Sequence, residues 1–185
     1  MKFVVGLGNP GHQYIGTRHN LGFMCIDELS RRWEVALLDK RKHVVLGQGI
    51  FHDIECVLAK PRTFMNHSGT AINYLLARFG GDPNDLLIIY DDMDLPLGQI
   101  RIKPSGGSAG QKGATSIIET LGTTDFVRLR IGIGEPLDPE ETIPFLLSSF
   151  STNEQPIVRD VIKKGASAVE CLFIDGIDVA MNKYN

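Results

Sequence analysis

The sequence VVGLGNPG at positions 4–11 decides the fold of this chain, and TRHN follows it at positions 17–20. The apolar residues before Gly6 predict a short buried strand, and the glycine- and proline-rich residues after it predict a loop. Such a loop leaves from the carboxyl end of its strand, where open α/β sheets form their ligand crevices. The sequence therefore places an amide, Asn9, and a histidine, His19, at an expected ligand site. A histidine can accept and donate protons, so one at this place can act as an acid or a base.

The glycines at positions 6, 8 and 11 also have the spacing of a dinucleotide-binding fingerprint. That fingerprint requires a helix that opens at the third glycine and an acidic residue at the end of a second strand about 20 residues later. Here residues 12–16 have the composition of a loop, and Asp27 and Glu28 fall in a helical pattern. The sequence therefore argues against a nicotinamide-binding fold.

Length and composition predict one globular domain spanning residues 1–185, with 43% hydrophobic and 22% charged residues. The net charge of −3 gives no support for a globally basic nucleic-acid binder, but it leaves room for a local basic face. No apolar run approaches the ~20 residues of a membrane span. The three cysteines are scattered in apolar patterns, which favours a reducing, cytoplasmic compartment.

Apolar periodicity predicts that strands and helices interleave along the chain. Strands are expected at residues 2–6, 44–51, 54–60, 86–90, 99–103 and 126–133, and helices at 20–33, 68–79, 114–121 and 153–182. This order predicts an α/β fold, a single domain with a twisted mixed β-sheet flanked by α-helices. Residues 135–151 have the least regular pattern and are a candidate for a mobile flap.

The glycine-rich loop at residues 105–113 resembles two known motifs without matching either. Its GGSAG stretch fits a serine nucleophile elbow, but that arrangement needs a histidine after the serine, and all five histidines precede residue 68. The loop also lacks the Gly-Lys-Ser/Thr ending of a P-loop. Two interpretations stay open: a plain connection, or a phosphate-binding loop that uses backbone N–H groups and Lys112.

Three carboxylates, Asp91, Asp92 and Asp94, follow the apolar run of residues 86–90. They are compatible with a Mg²⁺ site, with a charged turn, or with a carboxylate that orients a histidine. We favour the last interpretation, with Asp91 as the orienting group, because the sequence offers no second ligand cluster.

Two asparagines have simple structural explanations when each is taken alone. Asn9 suits a turn, and Asn66 suits the start of a helix that Ser68 is expected to cap. However, both are expected at the same sheet edge as His19 and Asp91. A base, an acid that orients it and two amides that hold a carbonyl are the parts of a hydrolase.

The motifs together resemble those of the bacterial-type peptidyl-tRNA hydrolase family. They are GLGNPG at 6–11, TRHN at 17–20, TFMN at 63–66, DxxDLP at 91–96, the glycine-rich loop at 105–113 and RLRIGIG at 128–134. The resemblance implies a single α/β domain that hydrolyses the ester between a peptide and the 3′ ribose of tRNA. It further implies a monomer without metal or cofactor, whose partner is peptidyl-tRNA, bound through its acceptor stem and its nascent peptide.

Carried over to this sequence, the resemblance makes His19 the general base, Asp91 its orienting carboxylate and Asn9 an amide at the reacting centre. Asn66 is expected to hold the peptide backbone, and Met65 and Tyr14 to contact the substrate. The family's basic surface, which is expected to bind tRNA phosphates, maps to Arg101, Lys103, Arg128 and Arg130.

The sequence departs from the family pattern at the end of the glycine-rich loop. The family commonly has His-Asn-Gly there, whereas this chain has Gln111-Lys112-Gly113. Lys112 can bind a phosphate or a carbonyl but cannot accept a hydrogen bond as asparagine does. This departure leaves room for a non-catalytic RNA-binding module as an alternative. A hydrolase of small esters that does not recognise RNA is a second alternative.

Overall fold

The computed structural model describes all 185 residues and contains one seven-stranded sheet. The strands run in the order β2-β3-β4-β1-β5-β7-β6. Their bounds are β1 Lys2–Gly6, β2 Asp39–Lys40, β3 Val44–Phe51, β4 Ile54–Pro61, β5 Leu86–Asp92, β6 Ile100–Lys103 and β7 Val127–Gly132. The four central strands are parallel, and β2, β3 and β6 add antiparallel pairings at the two sides. The predicted mixed α/β sheet is confirmed.

Six helices flank this sheet on both faces. Their bounds are α1 Leu21–Arg32, α2 Ser68–Phe79, α3 Lys112–Leu121, α4 Thr142–Leu147, α5 Gln155–Asp175 and α6 Ile177–Tyr184. Alternate residues of the central strands point to opposite faces, so Val4 packs with α1, α5 and α6, while Phe3 and Val5 pack with α2 and α3. This burial on both faces explains why β1 and β5 are continuous apolar runs.

The predicted element bounds need a few corrections. The C-terminal helix is broken at Gly176, whose φ of 87° ends α5 before α6 begins. Ser68 is the first residue of α2 rather than its cap, and its hydroxyl donates to the Met65 carbonyl. Strand β5 continues to Asp92, so Asp91 lies inside the strand instead of just after it.

Glycines allow α1 to lie directly on β1. A Cβ atom at Gly22 would sit 2.4 Å from the Ile89 carbonyl oxygen, and one at Gly6 would sit 2.1 Å from the Gly22 carbonyl oxygen. Neither distance is possible for a real side chain, so both positions require glycine. This close approach holds residues 18–20, which precede α1, against the carboxyl ends of β1 and β5.

The central strand β1 has β4 on one side and β5 on the other, both parallel to it. Chain connections diverge at such a point, and ligand crevices form outside the carboxyl ends of the strands there. None of the helices combines the length and the apolar character that crossing a membrane requires.

Candidate active site

A cavity of about 460 Å³ opens at the carboxyl edge of the parallel strands. Its polar lining includes Asn9, His19, Asn66 and Asp91, which the sequence predicted to meet at one sheet edge. These side chains come from four separate segments of the chain. The sheet thus brings the proposed base, acid and two amides together.

A histidine–aspartate pair lines the cavity. His19 Nδ1 lies 2.7 Å from Asp91 Oδ2, and both residues are buried, with 6% and 2% of their surface exposed. An ionised carboxylate only accepts hydrogen bonds, so Nδ1 carries the ring proton. His19 Nε2 has no protein partner and lines the cavity, which leaves its lone pair available to a substrate or a water.

Asn9 is fixed beside this pair by hydrogen bonds on both its backbone and its side chain. Its backbone N–H donates to Asn20 Oδ1 at 2.8 Å, and its carbonyl accepts from Asn20 Nδ2 at 3.0 Å. Its side-chain Oδ1 accepts from the Met65 N–H at 2.8 Å. Because Oδ1 is occupied, the Asn9 Nδ2 group is the part of the amide that remains free to donate into the cavity.

Gln111 holds the second oxygen of Asp91, an interaction that the sequence did not predict. Its Nε2 donates to Asp91 Oδ1 at 3.1 Å and contacts Met65 Sδ at 3.3 Å, while its Oε1 accepts from the Ala114 N–H at 2.8 Å. Gln111 is therefore the N-cap of α3 and also a neighbour of the buried carboxylate. The only feature of the sequence that pointed to a structural role for Gln111 was its position shortly before a predicted helix.

The remaining predicted substrate residues occupy different depths of the site. Asn66 and Lys112 are exposed and line the cavity, whereas the Met65 side chain is buried in its wall. Asn66 contacts only the neighbouring His67 ring, at 3.3 Å, so it does not cap α2. Tyr14 lies outside the cavity lining, with its ring edge-on to Phe64 at 6.4 Å.

The prediction that Arg128 belongs to a basic surface is wrong. Its side chain is 2% exposed, and it donates to the carbonyls of Gly107 and Thr124. The guanidinium also lies 4.3 Å from the centre of the Phe126 ring, and burial lowers its pKa below the usual value for arginine. Arg128 holds the glycine-rich loop onto the sheet and cannot reach a tRNA phosphate.

Of the other predicted cations, Arg101 and Lys103 are exposed on β6. Arg130 is largely buried, and its guanidinium forms ion pairs with Asp92 and Asp94. The exposed basic surface on this sheet is therefore smaller than the family resemblance implied. Asp92 pairs with Arg130, and Asp91 is hydrogen-bonded to His19 and Gln111. Both carboxylates therefore already have protein side chains as partners.

Helix α4 forms an apolar wall of the cavity through Ile143, Leu146 and Leu147. The segment that contains it is attached to residues 17–20 by Arg18, whose backbone N–H and Nε both donate to Ser148. The Arg18 guanidinium also lies between the rings of Phe145 and Phe150, at 4.4 and 4.6 Å. The segment 135–151 therefore ends in a firm attachment next to His19.

Glu154 completes this attachment through an ion pair with Arg18 at 2.8 Å. The hydrogen bond from Arg18 lowers the pKa of Glu154 from its usual 4.5 to about 2. A carboxyl group whose pKa is lower in the folded state stabilises the fold above its unfolded pKa, and that stabilisation is lost as the pH falls through the folded value.

We therefore expect Glu154→Gln to be less stable than the wild type at neutral pH, with the difference narrowing between about pH 4.5 and pH 2. Urea unfolding of both proteins over this pH range measures the difference. Arg159→Gln is the control, because Arg159 is an exposed residue of the neighbouring helix. A Glu154→Gln difference that does not change with pH would contradict the linkage.

Comparison with known proteins places this geometry in a family. A family model described as peptidyl-tRNA hydrolase matches residues 3–185. The chain belongs to the peptidyl-tRNA hydrolase family. A peptidyl-tRNA hydrolase from Syntrophomonas wolfei is 48% identical over the full length of both chains, and one from Bacillus velezensis is 40% identical over all of this chain and 98% of its own.

The fold agrees with a solved structure of the same family. The crystal structure of peptidyl-tRNA hydrolase from Acinetobacter baumannii superposes with a TM-score of 0.94 at 34% identity, covering all of this chain and 94% of the other. The family resemblance stated from the motifs is thereby confirmed.

Proposed function

We propose that this chain hydrolyses the ester bond between a peptide, or another N-substituted aminoacyl group, and the 3′ ribose of tRNA. The observation that carries the proposal is the His19–Asp91 pair, with Nδ1 held by the carboxylate at 2.7 Å and Nε2 open to the cavity. Family membership supports the substrate class, and the geometry of the His19–Asp91 pair supports the proposed chemistry.

In the proposed reaction, His19 Nε2 removes a proton from water as the water oxygen attacks the ester carbonyl carbon. The imidazolium that forms is stabilised by Asp91, whose carboxylate remains ionised. When the tetrahedral intermediate collapses, the carbon–oxygen bond to the ribose breaks and the His19 proton passes to the ribose oxygen. The products are free tRNA and a peptide carboxylic acid, which releases its proton to solvent, and no acyl-enzyme forms.

Asn9 is proposed to stabilise the negative charge that develops on the carbonyl oxygen. Its Nδ2 group is free because Met65 occupies the other end of the amide. A donor that is fixed before the substrate arrives needs no reorganisation during the reaction, which is why such groups stabilise transition states effectively.

The peptide is proposed to bind along the side of the cavity formed by Phe64, Met65 and Asn66. Asn66 is exposed and has donor and acceptor atoms that match a peptide backbone. Tyr14 packs against Phe64 outside the cavity, so it would contact only a part of the peptide that extends beyond the cavity rim. The apolar wall of α4 faces the same space.

The tRNA phosphates are proposed to contact the exposed cations Arg101, Lys103 and Lys112. Arg130 is proposed to add to this positive surface through the part of its side chain that is exposed. It pairs with Arg101 in the register of β6 and β7. We also propose that the chain acts as a cytoplasmic monomer and uses no metal or cofactor. The three buried, unpaired cysteines suit a reducing compartment.

We expect Lys103→Ala to weaken binding of deacylated tRNA and to reduce the slope of log K against log salt by about 0.7–0.9 for each phosphate that the lysine no longer neutralises. Lys164→Ala is the matched control, because Lys164 is an exposed lysine on α5. Binding measured across a salt series tests this. An unchanged slope for Lys103→Ala would remove this lysine from the tRNA interface.

The decisive experiment measures release of the acyl group from three substrates: an N-acetylaminoacyl-tRNA, the same aminoacyl-tRNA with a free amine, and a small ester of the same amino acid. We expect rapid release only from the first. A chain that shifts the tRNA in a gel but leaves the ester intact is an RNA-binding module. Equal release from the small ester, independent of salt, indicates a hydrolase that does not recognise RNA.

A further inference from the structure

We propose that Gln111 is a positioning residue for this reaction, which holds the Asp91 carboxylate in the orientation that keeps His19 in its active tautomer. The inference rests on the proposed function for its kinetic consequences. It rests on the structure alone for the hydrogen bonds that Gln111 makes, which link the start of α3 to the catalytic pair.

The orientation of the Gln111 amide is fixed by the helix that it caps. Its Oε1 accepts the Ala114 N–H at 2.8 Å, and a backbone N–H can only be paired with an acceptor. The amide nitrogen is therefore directed to Asp91 Oδ1, 3.1 Å away. The start of α3 thus determines which end of the Gln111 amide faces Asp91, and that end is the Nε2 donor.

This donor occupies the oxygen of Asp91 that His19 leaves unused. Asp91 is 2% exposed, so without Gln111 its Oδ1 would be buried with no protein hydrogen bond. A buried charged acceptor without a partner is strongly unfavourable, and the carboxylate would rotate or recruit water. Because an amide carries no charge, Gln111 satisfies the oxygen without neutralising the negative charge that stabilises the imidazolium.

Gln111 also connects the two sides of the site through Met65. Its Nε2 contacts Met65 Sδ at 3.3 Å, and the Met65 backbone N–H donates to Asn9 Oδ1. A Cβ atom at position 113 would lie 2.5 Å from Met65 Sδ and 3.0 Å from Gln111 Oε1, so Gly113 is required for this arrangement. Gln111, which stands where the family commonly has histidine, therefore has partners in this chain for both ends of its amide.

Three substitutions separate positioning from helix capping. Gln111→Ser keeps a side-chain acceptor suited to an N-cap but is too short to reach Asp91. Gln111→Met has a similar length but neither caps nor donates. Gln111→His provides an N–H donor of similar reach, and serves as the conservative rescue. Each variant is compared with the wild type by kcat and KM on N-acetylaminoacyl-tRNA and by thermal unfolding.

If Gln111 positions Asp91, kcat falls about 10- to 100-fold in Gln111→Ser and Gln111→Met with little change in KM, and Gln111→His restores most of it. Both variants lose the hydrogen bond to Asp91, but only Gln111→Met also loses the helix cap, so its Tm is expected to lie about 2–4 °C below that of Gln111→Ser. A kcat that follows Tm, or that is unchanged in Gln111→Ser, overturns the proposal.

A second readout does not depend on activity. The proton on His19 Nδ1, observed by NMR in the free protein, is expected to shift or broaden in Gln111→Ser and Gln111→Met and to be retained in Gln111→His. An unchanged signal in all three variants overturns the positioning role. If the wild type releases no peptide from tRNA, the proposed function fails, and the NMR comparison still decides whether Gln111 holds Asp91.

Discussion

Replacing His19 by alanine is expected to lower kcat for N-acetylaminoacyl-tRNA by about 10²- to 10⁴-fold, the usual contribution of a general base. KM should change little, because in the proposed mechanism His19 acts on water rather than holding the substrate. Its buried position beside Asp91 also means that the variant leaves a carboxylate with one partner fewer, so thermal unfolding must confirm that the protein folds.

The matched control is His52→Asn, which removes an exposed imidazole at the opposite edge of the sheet. His52 lies in the turn between β3 and β4 with a φ of 46°, a conformation that asparagine tolerates well. This variant should retain wild-type kcat. Near-normal turnover in His19→Ala, with a folded protein, would eliminate His19 as the base.

The sequence predicted that Asn9, His19 and Asp91 would lie together because each position follows from local features of the chain. Asn9 follows β1, Asp91 lies near the end of β5, and parallel neighbouring strands must present their carboxyl ends at one edge. Continuous apolar runs identified the two central strands, and the TRHN stretch lies between β1 and the start of α1. Each of these inferences requires only that a strand, its carboxyl end and the residues after it be recognised in the sequence.

The misjudged residues depend on interactions between segments far apart in the chain. The family resemblance placed Arg128 and Arg130 on a basic surface, but the glycine-rich loop covers Arg128, and Asp92 and Asp94 pair with Arg130. No local pattern reveals which loop folds over a strand. Arg18 illustrates the same limit, because its aromatic and acidic partners lie more than 120 residues later.

Gln111 was missed for a different physical reason. A glutamine ahead of a helix is an ordinary cap or an ordinary surface residue, and its role depends on the direction of one amide nitrogen. That direction follows from the Ala114 N–H and from the depth of Asp91, which only the assembled fold defines.

Replacing Asp91 by asparagine is expected to reduce kcat by about 10³- to 10⁴-fold, as expected when a catalytic histidine is held in the wrong tautomer. Gln111 Nε2 would still need an acceptor, so the new amide would turn its oxygen to Gln111 and its NH₂ group to His19. His19 Nδ1 would then have to accept, which moves the ring proton to Nε2 and removes the lone pair that activates water.

The tautomer can be measured directly as well as through kcat. In ¹⁵N-histidine NMR spectra, the wild type should carry the His19 proton on Nδ1, and Asp91→Asn should carry it on Nε2. Asp53→Asn is the control, since it removes a carboxylate from the exposed turn after His52, where a φ of 63° suits asparagine. Wild-type kcat in Asp91→Asn, or a proton that stays on Nδ1, would show that the orientation of His19 does not depend on the Asp91 carboxylate. The mechanism would then need a base that other side chains hold in place.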